Sequence, residues 1–144
     1  MRRWNIWPGW DEDGIELSAS DVAMGLDAAK VNLRLAIELK RDAGPMSKAH
    51  WILGAHYLAA GKLDIARAHF EKSGTFAAEA DSESGVLLAE GYGVVTDCVE
   101  SPNDEGLNSD LTDIQEKLKP LEDGGFLAEQ MTTALKVFGS IGED

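Results

Sequence analysis

An all-α fold follows from three features of this sequence. Apolar residues recur every three or four positions through most of the 144-residue chain, the spacing that lines one face of a helix. Alternating β-branched runs, the mark of strands, are nearly absent, and the short Val94-Val95 is the exception. Glycine and proline fall between the apolar runs, where helices would stop. A chain of this size buries roughly 68–70% of its unfolded surface. We therefore expect one helical domain over residues 18–144, preceded by an arm over residues 1–17.

The arm, MRRWNIWPGWDEDGIEL, carries Trp4, Trp7 and Trp10, with Pro8-Gly9 between the last two. That pair argues against a long helix, and three indoles are costly to leave in water. Two readings stand: the arm lies on the domain and completes its core, or it is an anchor segment for a partner or a second copy. A first helix is expected from about Ser18 or Ser20 to Asp42, with Val22, Leu26, Ala29, Leu33, Ala36 and Ile37 on one stripe and Leu35 and Leu39 widening it. Gly44-Pro45 ends it.

Residues 47–74 read as a helical hairpin. Ser47 is placed to cap the first helix, Gly61 supplies the positive φ of a tight turn, and Gly74 is expected to stop the second helix, about 63–73. A connection this short makes the pair antiparallel. Residues 75–81 either extend that helix or form a turn. Asp81 or Ser82 caps a fourth helix of about 82–90, ended by Gly91 and Gly93. After a loop over 91–108, Ser109 caps a helix of about 109–122 frayed by Pro120, and a sixth runs over about 126–139.

The spacing Leu53-Gly54-x2-Tyr57-x3-Gly61-x4-Ala66-x3-Phe70 resembles the tetratricopeptide repeat, a helix pair with a period of about 34 residues. The likeness covers about a fifth of the chain; His50 stands where the family often has Trp, and Ser73 replaces a usual Ala. Gly85, Leu88, Gly91, Gly93, Val94 and Asp97 resemble the helix end and turn of the related Sel-like repeats, from which Ser101–Gly106 departs. The resemblance implies a right-handed superhelix of about six helices whose concave face binds peptides. By register that face would present Lys48, Trp51, Ala55, Leu58 and Ala59.

Charge is unevenly placed. Residues 1–72 carry ten basic and ten acidic side chains, whereas residues 73–144 carry three basic and sixteen acidic, which accounts for the whole net charge of −13. Such a half repels nucleic acid and anionic lipid and attracts basic partners. No apolar run approaches the ~18 residues of a membrane span. Arg2 and Arg3 are followed by no apolar stretch, so no signal peptide is expected. The lone Cys98 excludes an internal disulfide and fits a reducing cytoplasm.

Signatures of chemistry are missing. There is no P-loop, no G-x-G-x-x-G after a strand and no G-x-S-x-G. His50 and His56 are six apart, on different faces of one helix, and His69 is on the next, so no metal or other cofactor is expected. Cys98 lies beside Asp97 and Glu100, which disfavour a thiolate. The sequence thus points to a non-catalytic interaction domain for a peptide, a helix or a second copy of itself. Its candidate contacts are Lys48, Trp51, Ala55, Leu58, Ala59, Trp4, Trp7 and Trp10. The alternative is an acidic, immunity-type inhibitor of a basic protein.

Overall fold

The helices follow one another with connections of only a few residues, so each lies antiparallel to the next. The computed structural model describes residues 19–121 and 123–139, and these form six helices and no strand. They are α1 (Ala19–Glu38), α2 (Ala43–Ala59), α3 (Leu63–Glu79), α4 (Glu83–Glu100), α5 (Glu105–Leu118) and α6 (Gly124–Gly139). Each packs on its sequence neighbours, and α4 also meets α2 and α6. The even-numbered helices therefore form an inner row with α3 and α5 behind it.

The first three turns share one geometry. Lys40 (φ 50°), Gly61 (φ 78°) and Asp81 (φ 56°) each take the left-handed conformation just past a helix. After α1, the N–H of Lys40 donates to the Ile37 carbonyl and that of Arg41 to Ala36, both at 3.0 Å. Gly61 and Lys62 repeat the pattern onto Leu58 and Tyr57, and Asp81 and Ser82 onto Ala78 and Ala77. These paired bonds close the last carbonyls of each helix. The sequence betrays this turn at Gly61; Lys40 and Asp81 adopt it because the next helix must pack back at once.

Several expected helix ends are not ends. Ser47 is not a cap: α2 already begins at Ala43, with Pro45 harmless in its first turn. Ser47 instead donates to the Ser73 carbonyl at 2.8 Å, and Ser73 Oγ returns a bond to the Ser47 carbonyl at 2.8 Å, both buried between α2 and α3. Gly74 does not stop α3, which continues to Glu79. Gly91 and Gly93 do not end α4, which runs on to Glu100, and Asp97 lies within it. The cap of α5 is Asp104, whose carboxylate accepts from the Leu107 N–H at 3.1 Å, and not Ser109. Ser82 does cap α4, accepting from the Gly85 N–H at 3.1 Å.

Close packing explains three of the glycines. A Cβ on Gly54 would come within 3.0 Å of the Phe70 ring, and one on Gly85 within 2.9 Å of Ala77. On Gly91 it would sit 2.6 Å from Met131 Sδ and closer still to Cε. These residues are absent side chains that let large ones in. Phe70, Tyr92, Val95, Leu118, Met131 and Phe138 fill the space, all nearly inaccessible to solvent. The C-terminal end of α4 is pinned to the start of α3 by Arg67, which binds Asp97 at 2.6 Å, Asp64 at 2.9 Å and also Glu100. That guanidinium offsets two carboxylates that oppose the dipole at the end of α4.

Candidate functional site

A groove of about 1000 Å³ opens along the N-terminal halves of α2, α4 and α6. Its position follows from the alternation of the fold: all three helices start at the same end, and the C-terminal turns of α3 back them. Trp51 and Ile52 come from α2, Leu88 from α4, and Phe126 and Leu127 from α6. Arg41 and Lys48 stand on the α2 side, and Asp123 on the α6 side. Trp51 is held by an edge-to-face contact with Tyr92, ring centroids 5.2 Å apart and planes at 89°. Phe126 is 62% exposed.

The structure brings together two of the eight expected contact residues, Lys48 and Trp51. Ala55, Leu58 and Ala59 need correction: they belong to the hydrophobic core, packed with Phe70 and Tyr92, and are closed to any partner. The register misplaced them because α2 is apolar on several faces, being covered by α1, α3 and α4 together. Trp4, Trp7 and Trp10 lie outside the described residues. Phe126, Leu88 and Leu127 were not foreseen as contacts. The available signal was Phe126 itself, an aromatic off the Leu127–Met131–Ala134–Phe138 stripe of its helix.

A second groove, about 800 Å³, lies on the other side between α3, α4 and α5. Glu71, Glu90, Asp97, Asp110 and Asp113 line it, against Arg67 and Lys117. It places part of the acidic excess of the C-terminal half on one surface.

The titratable groups inside the fold are structural. His50 and His69 meet across the α2–α3 seam, Nδ1 to Nδ1 at 3.0 Å. Their rings stack in a ladder running Phe76, His50, His69, Tyr57, at centroid spacings of 5.6, 5.3 and 5.6 Å. Burial, with the neighbouring charges of His69 and Lys72, lowers His50 to a pKa of about 4. Burial lowers His56 to about 4 as well. Cys98 is buried, and burial followed by Asp97, Asp104 and Asp110 pushes its thiol pKa up. Its Sγ lies 3.9 Å from Asn108 Oδ1. A protonated thiol in such surroundings is a poor nucleophile. Among the described residues, no group of three His, Cys, Asp or Glu side chains is placed to hold a metal ion. Among the same residues, no helix is long and apolar enough to cross a membrane.

No family model, curated protein or solved structure matches this chain.

Proposed function

We propose that this protein is a non-catalytic interaction domain of tetratricopeptide-like type that holds a peptide or a helix in the α2–α4–α6 groove. The observation that carries the reading is Phe126, an aromatic left largely open beside Trp51, Leu88 and Leu127 in a concave, mainly apolar surface. Aromatic side chains in such pockets are the usual anchors of peptide recognition. Arg41 and Lys48 at the rim favour a ligand with an apolar anchor flanked by acidic residues. A net charge of −13 argues against nucleic acid, and a lone buried thiol is compatible with the cytoplasm.

Selection of displayed random peptides on the full chain tests this. The expected outcome is an enriched class with one apolar anchor. Its affinity should fall about thirtyfold with Phe126→Asp, the scale of a lost hot spot, and less with Lys48→Glu. Enrichment that Phe126→Asp leaves untouched, or no enrichment at all, overturns the proposal.

The α3–α5 groove supports the second reading, an acidic inhibitor of a basic protein, because five carboxylates share its walls. Salt separates the two. Binding anchored by Phe126 tolerates added salt, whereas binding to the acidic groove weakens steeply as charges are screened.

A further inference from the structure

The α2–α4–α6 groove has a polarity from one side to the other. Arg41 and Lys48 stand on its α2 side, Trp51, Leu88 and Phe126 cross its middle, and Asp123 stands on its α6 side. Arg41, Lys48 and Asp123 are exposed, and among the described residues none of the three has an ion-pair partner. One segment of this same chain carries the complementary order. Read backward from α1, residues 1–17 present Asp11-Glu12-Asp13, then Trp10, Trp7 and Trp4, then Arg3 and Arg2. Acidic, aromatic and basic groups thus face basic, apolar and acidic ones. Laid the other way, Arg2 and Arg3 would meet Arg41 and Lys48, and three carboxylates would meet Asp123, so charge fixes the direction. Three indoles left in water are costly, and an apolar groove relieves that cost.

The segment is also long enough. α1 spans about 30 Å and runs antiparallel to α2, so the N-terminal half of α2 flanks the C-terminal half of α1. Trp51 lies about 12 Å from the start of α2. A chain leaving Ala19 must therefore travel roughly 18 Å back along α1 and about 10 Å across one helix. At about 3.3 Å per extended residue, Trp10 reaches about 30 Å from Ala19 and Trp4 about 50 Å. Asp11, one residue nearer α1, stays within reach of the long Lys48 side chain. We propose that residues 1–17 are the intramolecular occupant of this groove. Asp11-Glu12-Asp13 lie toward Arg41 and Lys48, the indoles beside Trp51 and Phe126, and Arg2 and Arg3 toward Asp123. With the groove read as a peptide site, as above, the arm is its regulator. A tethered segment competes at an effective concentration in the millimolar range, so an outside ligand with the same order of charge binds by displacing it.

A labelled peptide of residues 1–17 is the probe. It should bind a full chain carrying Trp4→Ala, Trp7→Ala and Trp10→Ala about tenfold more tightly than it binds the wild type, whose own arm competes. Adding Phe126→Asp to that chain should abolish the binding. A peptide with Asp11→Lys, Glu12→Lys and Asp13→Lys should bind about tenfold more weakly, and Arg41→Glu with Lys48→Glu in the chain should restore it. Zero-length carbodiimide crosslinking of the dilute wild type needs no substitution. It should join Lys48 to the carboxylate of residue 11, 12 or 13 within one chain. Equal affinity of the peptide for the two chains overturns the inference, as does Lys48 linking to residues 11–13 only between chains, the mark of a second copy. Displayed peptides that bind through Phe126 while the 1–17 peptide does not bind overturn the arm and leave the groove standing. If neither binds through Phe126, both fall.

Discussion

The middle of this helix stack and its α1 end use apolar residues in different ways. In the α3–α4 seam the large residues point inward: Phe70 and Tyr92 lean on each other at 5.6 Å between ring centroids. The small residues of that region, Gly54 and Gly91, make room for Phe70 and for Met131. In α1 the buried residues are the small Gly25, Ala29 and Ala36, Leu26 and Leu33 are half-buried, and Met24, Val31, Leu35 and Ile37 are exposed. Both segments read as amphipathic helices, yet only the first uses its bulky stripe as core. An apolar stripe establishes a helix; what lies opposite it establishes whether that stripe is buried.

Substitutions in the two regions should therefore rank by burial and not by side-chain size. Phe70→Ala empties the centre of the seam and should cost about 3–5 kcal/mol, the range for large buried aromatics. Urea unfolding of the variant measures this, and a cost under about 1 kcal/mol would mean that the seam is not the core.

Acidification attacks α2, the helix packed on the other side of α3. His50 and His56 hold pKa values of about 4 in the folded chain, against about 6.5 when unfolded. Between those values the unfolded chain binds more protons. The contribution of these rings is thus complete above the upper value and lost as pH falls through it toward 4. The loss is on the order of 3 kcal/mol per ring. Unfolding free energies of the wild type and a His50→Asn variant, compared from neutral pH down to acid, isolate the His50 share. Parallel pH profiles would refute it.

The smallest effects are predicted at α1, with the order reversed. Ala29→Leu enlarges a residue with no exposed surface and should destabilise by about 1–3 kcal/mol. Leu35→Ala removes three carbons from the exposed face and should change stability by less than about 0.5 kcal/mol, measured by the same urea unfolding. If the larger loss came from Leu35→Ala, the two faces of α1 would have to be exchanged.

Much of this architecture was legible because helix periodicity is a local property. The number of helices, the tight turn at Gly61, the Ser82 cap and the inward stripe of α6 all follow from residues close together in the chain. The candidate groove was half legible. Lys48 and Trp51 came from a register along one helix, but Phe126 is some 75 positions further on, and only the packing of α2 and α6 on α4 brings it to the same groove. Ala55, Leu58 and Ala59 were misassigned for the same reason, since α2 is enclosed by three neighbours that no local pattern announces.

The sequence by itself determined an all-helical chain, where its helices approximately lie, and an acidic C-terminal half. Tertiary structure alone decided what its glycines and serines mean. Gly74 and Gly91 carry the same local signal as Gly61, yet Gly61 turns the chain and the other two lie inside helices. A glycine offers both freedom of φ and the absence of a Cβ. Which property is used depends on whether a neighbouring helix, distant in sequence, arrives to fill the space.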